Sequence, residues 1–134
     1  MKNKLHQFVC LGMICLILLS GCAKDNNSLA AFQPEITNAA DNFQLQTTNV
    51  TSTTTTIDYN WTNSGSMATI NKSGVLNAGT AKVTIIDKNG TTVLTSDLKV
   101  TGDETTNVGV SGIWKIRLEL SSYSGTLNFR VQKK

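Results

Sequence analysis

Residues 112–132 read GIWKIRLELSSYSGTLNFRVQ, and their alternation is that of a sheet with one dry side. Trp114, Ile116, Leu118 and Leu120 share one parity, and Lys115, Arg117 and Glu119 share the other. Successive side chains of a strand point to opposite faces, so residues 113–120 fit an antiparallel strand with one face in a core and one in water. Leu127, Phe129 and Val131 repeat the pattern against Asn128, Arg130 and Gln132. The polar stretch 121–125, ending in Gly125, lies between the two runs and predicts the connection of a terminal hairpin.

The same period extends toward the N-terminus. Phe43 and Leu45 alternate with Gln44 and Gln46, and Ile57, Tyr59 and Trp61 alternate with Asp58 and Asn60. Ala68 and Ile70 suggest a short third strand. Ala81, Val83 and Ile85 alternate with Lys82 and Thr84 up to the turn-forming Asp87-Lys88-Asn89-Gly90. Residues 91–100 resume with Val93, Leu94, Leu98 and Val100 before Gly102-Asp103-Glu104 breaks the run. The threonine-rich stretch 51–56 reads mainly as the beginning of the strand that holds Ile57, because threonine favours strands. Seven or eight strands within residues 42–134, with no amphipathic helix, predict an all-β chain: a single antiparallel β-sandwich, jelly-roll or Ig-like.

The order Gly79, Val83-Thr84-Ile85, Asp87, Gly90, then Gly112-Ile113-Trp114-Lys115-Ile116, then Ser124-Gly125-Thr126-Leu127-Asn128-Phe129 resembles jelly-roll-like modules appended to secreted bacterial proteins, such as pre-peptidase C-terminal domains. The resemblance implies a fold and a binding or accessory role. It carries over no functional residue.

The start of the chain concerns location. Lys2 and Lys4 precede an almost continuously apolar run at residues 8–19, the charged-then-apolar order of an export signal. As a helix this run rises about 18 Å against roughly 30 Å of hydrocarbon, too short for a stable span. Leu19-Ser20-Gly21-Cys22 resembles the lipobox of bacterial lipoproteins, in which small residues precede a cysteine that takes a diacylglycerol. That resemblance implies cleavage of residues 1–21, a mature N-terminus at Cys22 and a covalent lipid on its thiol, with several acyl chains at about 0.8 kcal/mol per buried methylene. The membrane is then a partner through the anchor, and the address is the bacterial cell envelope. Ala23 lacks the aspartate that retains other lipoproteins at the inner membrane, and Lys24 and Asp25 resemble the surface-export signals of some Gram-negative lipoproteins, so the expected site is the outer membrane, with exposure at the surface open. Residues 22–41 read as a lipidated N-terminus and flexible linker, poor in large apolar residues and holding the only proline, Pro34. The nineteen residues after Cys22, if flexible, would reach about 25 Å.

Cleavage would remove His6, Cys10 and Cys15, leaving no histidine and no thiol beyond Cys22. Disulfide frameworks, Cys/His zinc sites and Ser-His-Asp chemistry all need residues the mature chain would lack. The loss of Lys2 and Lys4 lowers the net charge from +3 to +1, which gives no electrostatic case for nucleic acid. No cofactor is expected beyond the lipid.

Each remaining candidate has a plainer reading beside it. Tyr59, Trp61 and Trp114 offer rings for a saccharide platform, but each shares its face with aliphatic residues, which favours core packing. Tyr123, set in the polar stretch, is the candidate ligand-contact residue, with packing against the hairpin as its alternative. Asp87 and Asn89 are candidate metal ligands by their turn oxygens, yet the ligand spacing of an EF-hand is missing and an ordinary turn suffices. Asp103 and Glu104 are adjacent and fit a solvated loop better than a hydrolytic pair. Lys115 and Arg117 read as an outer face. The expectation for function is therefore a lipid-anchored, non-catalytic binding module for an envelope glycan or protein. An accessory subunit of an envelope complex is the alternative, with a carboxylate-dependent hydrolase behind both.

Overall fold

The strand continues without a turn through the stretch expected to reverse the chain, and its alternation slips by one residue at Ser121 and Ser122. A computed structural model describes residues 29–134, and its last strand runs unbroken from Gly112 to Lys133. A short 3-10 turn at Ala30–Phe32 precedes β1 (Glu35–Ala39), β2 (Asn42–Asn63), β3 (Ala68–Lys72), β4 (Val75–Ile86), β5 (Thr92–Asp97), β6 (Gly102–Thr105) and β7 (Gly112–Lys133). The fold is all-β and every strand pair is antiparallel.

The expected terminal hairpin is thus corrected. Its two halves are one strand, and the two strands expected around Phe43 and Tyr59 are likewise the two ends of β2. The reason lies in the partner. β2 and β7 pair along their whole length, from Asn42↔Gln132 to Asn63↔Gly112, so each half of β7 finds its ladder on β2 rather than on the other half of β7. The polar residues between the halves bend the strands. Register shifts on β2 fall between Thr47 and Thr55, and those on β4 between Leu76 and Thr80.

β3 and β4 lie end to end along the other side of β7, joined where the Ser73 N–H donates to Asn128 O at 3.0 Å. β6 flanks β3 and β5 flanks β4. The result is one sheet bent across a corner, so that its first half (β1, the start of β2, the end of β7, β3, β6) lies over its second (the end of β2, the start of β7, β4, β5). The Phe43 and Tyr59 rings, from opposite ends of β2, meet at 5.1 Å. The Asp41 N–H donates to Thr62 O at 2.8 Å and the Gly109 N–H to Ser66 O at 2.8 Å, tying the halves at the end away from the corner.

The corner explains the serine and threonine of this sequence. Asn49, Ser52 and Ser122 hold positive φ, as does Gly79, where a Cβ would run into the carbonyls of Ser121 and Ser122. Bulged residues lose ladder partners, and hydroxyls replace them: Thr54 Oγ1 accepts from the Ser122 N–H at 2.8 Å and Ser124 Oγ from the Ser52 N–H at 2.9 Å. The stretch 51–56 is therefore the interior of a long strand, not the beginning of a short one.

Between the halves sit Trp61 and Trp114, edge to face at 6.0 Å and 87°, with Phe43, Phe129, Ile70, Ile85, Leu118 and Val131 around them. Leu29 is fully buried, and Thr47 Oγ1 donates to Phe32 O at 3.1 Å. The packed domain thus begins by Leu29, and β1 lies inside the stretch expected as linker. β1 escaped the periodicity reading because all five of its residues are exposed and it is held by its backbone ladder to β2. Cys22, the export signal and the remainder of the expected linker lie outside the described residues.

Candidate functional site

Alternation that buries one face of a strand leaves the other as a polar surface, and here it is charged in rows. On the outer face of the second half, Asp58 on β2 faces Arg117 on β7, and one row nearer the corner Thr56, Glu119, Lys82 and Asp97 line up across β2, β7, β4 and β5. In the first row Arg117 Nε and Nη2 donate to the two Asp58 oxygens at 2.7 and 2.8 Å, a bidentate pair, with Lys115 Nζ at 3.4 Å. The Arg117 bonds hold the Asp58 carboxyl below its ordinary value. This row is saturated.

The second row is open. Where β4 and β7 bend at Thr80 and Ser121, the outer surface dips into a groove of about 570 Å³ that crosses four strands, within the size range of small-molecule sites. Hydroxyls of Thr56, Thr80, Thr95 and Ser121 line it with Lys82, Glu119 and Asp97. Leu120 and Ala81, core residues that are each almost wholly buried, lie beneath it. Lys82 Nζ pairs with Glu119 Oε2 at 2.9 Å, and Asp97 Oδ1 accepts the Lys99 N–H at 2.8 Å. Among the described residues, the second oxygen of each carboxylate accepts no protein hydrogen bond. The groove thus offers acceptors and hydroxyls to a ligand without any strand moving.

Expected site residues fall elsewhere. Tyr123 is corrected: it lies inside β7, 2% exposed, and its hydroxyl donates to Val75 O at 3.1 Å. Burial pushes its phenol up to about 12. It packs in the corner because no hairpin turn exists to lift it into solvent. Trp61 and Trp114 are core residues whose indole N–H groups donate to Ala39 O at 3.1 Å and Val110 O at 2.7 Å. Tyr59 is half-buried against Phe43.

The Asp87 carboxylate is fully engaged by backbone. It accepts N–H groups from Val110 (2.9 Å), Thr91 (2.9 Å) and Asn89 (2.9 Å), which together hold it below the ordinary carboxylate range. Asp87 fastens the β4–β5 turn to the loop before β7, and Asn89 contributes its backbone N–H to that arrangement rather than a second ligand oxygen. Among the described residues, no three acidic, histidine or cysteine side chains gather where they would hold a metal ion.

One cluster was missed in the sequence. Lys72 is 2% exposed, and its Nζ pairs with Glu104 and donates to Ser96 Oγ at 2.8 Å and Asp97 O at 3.3 Å. Ser96 Oγ in turn donates to Glu104 Oε1 at 3.0 Å. Glu104 sits on β6, not in a loop, and its carboxyl is held down first by the Lys72 bond. The signal was present: extending the Ala68, Ile70 alternation by two places Lys72 on the inner face. Because all three ammonium protons are used, the cluster closes the seam between β3, β6 and β5 and leaves no free base.

No family model and no curated protein matches the chain. Among solved structures, a chain of "Structure of infectious bursal disease virus Gt strain" is similar over 74% of this chain and 31% of that one, at 16% identity and a TM-score of 0.29. This chain therefore spans about a third of that protein's length, and the likeness is too slight to bear on function.

Proposed function

We propose that this protein is a lipid-anchored component of the bacterial cell envelope whose sandwich is a non-catalytic binding module for an envelope glycan or protein. The observation that carries the binding reading is the open groove over β2, β7, β4 and β5, whose lining presents hydroxyls and unsaturated carboxylate oxygens on a rigid ladder. Hydrolysis by carboxylates needs an acid whose pKa is raised. Among the described carboxyls that are shifted, Asp41, Asp58, Asp87 and Glu104 all move down, each through hydrogen bonds to its ionised form. None of these four lines the groove, so the binding reading rests on the groove's geometry.

The anchor rests on Leu19-Ser20-Gly21-Cys22. Cys22 precedes the packed domain by seven residues, a reach of at most about 25 Å, which would keep the module close to the lipid surface rather than far from it. Metabolic labelling with palmitate tests the anchor directly. The wild type is expected to carry label and to sediment with membranes, and Cys22→Ala to lose both. A labelled, membrane-bound Cys22→Ala protein would refute it.

A further inference from the structure

The groove across β2, β7, β4 and β5 can be read for ligand chemistry, an inference that rests on the binding-module reading above. Its polar lining divides into two kinds of group. Thr56, Thr80, Thr95 and Ser121 can donate or accept, whereas the free oxygens of Glu119 and Asp97 only accept. Lys82, the cation among the described lining residues, pairs with Glu119 at 2.9 Å, with both side chains partly exposed. A ligand for such a surface needs several donors, because the carboxylates ask for them, and several acceptors, because the hydroxyls can satisfy them. It needs no net charge. An anion would meet two carboxylates and would have to draw Lys82 out of its pair, and a polycation would compete with Lys82 for the same oxygens.

We infer that this groove binds a neutral saccharide segment, with Glu119 and Asp97 accepting sugar hydroxyls and the threonine and serine hydroxyls completing the contacts. Recognition is by hydrogen bonds on a preformed ladder and does not use ring stacking, since Trp61, Trp114 and Tyr123 are buried. Binding is therefore selective for hydroxyl configuration. Charge-assisted hydrogen bonds carry most of the discrimination, so removal of one carboxylate charge is expected to weaken binding about tenfold or more.

The test uses the full chain, isotope-labelled in detergent micelles and titrated with malto-, cello-, xylo-, manno- and galacto-oligosaccharides. At least one series is expected to shift backbone amides of the groove (Thr56, Thr80, Lys82, Thr95, Asp97, Glu119) at concentrations up to about 10 mM, within the weak range of such contacts. Asp97→Asn and Glu119→Gln are expected to retain the spectrum of a folded chain and to lose about tenfold in affinity. Thr56→Val gives a second, uncharged variant with a smaller loss. Absence of any shift, or shifts confined to the loops at the far end, would overturn the saccharide assignment while leaving a protein-binding module intact. Release of shortened sugars during the titration would instead leave the assignment standing and overturn the non-catalytic reading.

Discussion

The bent sheet is closed along two seams, which differ in what they bury: a pair of indoles in one, a lysine in the other. On the β1 side, closure is by backbone, indole and a partly exposed carboxylate: the Asp41 N–H reaches Thr62 O, Trp61 Nε1 reaches Ala39 O, Asn38 Nδ2 reaches Asn60 O at 2.9 Å, and the Asp41 carboxylate accepts from the Ser64 N–H at 2.7 Å and pairs with Lys133 at 3.1 Å. On the β6 side, a lysine whose side chain is 1% exposed is held by Glu104, Ser96 and the Asp97 carbonyl. Neutral hydrogen bonds around a large buried ring tolerate small errors, because most of the stabilisation comes from apolar area. A buried ion pair does not, because loss of one member strands the other in a poor solvent. The first seam holds by packing and the second by satisfaction.

That contrast is broken most severely by truncating the ring. Trp61→Ala removes the edge-to-face partner of Trp114 and the donor to Ala39 O together, and is expected to cost about 3–5 kcal/mol in denaturant unfolding. Trp61→Phe keeps most of the packing and is expected to cost about 1–2 kcal/mol, the lost hydrogen bond plus a modest void. If both variants lost equally, the indole N–H rather than the ring would be what holds this seam.

The ionic seam is sharpened by comparing its two members. Glu104→Ala leaves Lys72 buried with only Ser96 and Asp97 O, and is expected to cost about 2 kcal/mol, less than a fully buried pair because Glu104 is 39% exposed at its side chain. Lys72→Met removes the buried charge, fills the same volume, and leaves a glutamate that water can reach. It is expected to fall within about 1 kcal/mol of wild type. A Lys72→Met protein less stable than Glu104→Ala would show that the pair itself stabilises the seam, contrary to this reasoning.

The two seams were not equally legible in the sequence. Trp61 and Trp114 fall on strong period-2 runs, so their core positions follow from alternation alone. Lys72 follows from the same rule but conflicts with the expectation that lysine faces water, and the register that brings Ser96 and Glu104 to it depends on long-range pairing. The continuity of β2 and β7 was hidden for a related reason. Polar residues such as Ser121 and Ser122 signal a turn when read locally, and only the presence of a full-length partner strand turns them into a bulge. The groove depends on that bulge, so its members Thr80 and Ser121 could be named as outward-facing polar residues but not gathered into one site. β1 had no periodic signal to read.

Acid acts on both seams through one depressed carboxyl each, Asp41 and Glu104, and has the smallest effect. Glu104 is held by Lys72 below its ordinary value of 4.5, so its folded form prefers to be ionised more than its unfolded form does. A carboxyl depressed in the folded state contributes stability that is complete above the unfolded value and is lost as pH falls through the folded one. Wild type should therefore lose stability from about pH 4.5 downward, with Asp41, Asp58 and Asp87, which are also depressed, adding to the same slope. Glu104→Gln should lower stability near neutral pH and flatten the acid slope by the share of one carboxyl, whereas Trp61→Phe should leave the slope parallel to wild type. Urea unfolding at a series of pH values from 7 to 3 measures both slopes. Parallel curves for Glu104→Gln and wild type would mean that the ionic seam contributes through its geometry and not through the charge on Glu104.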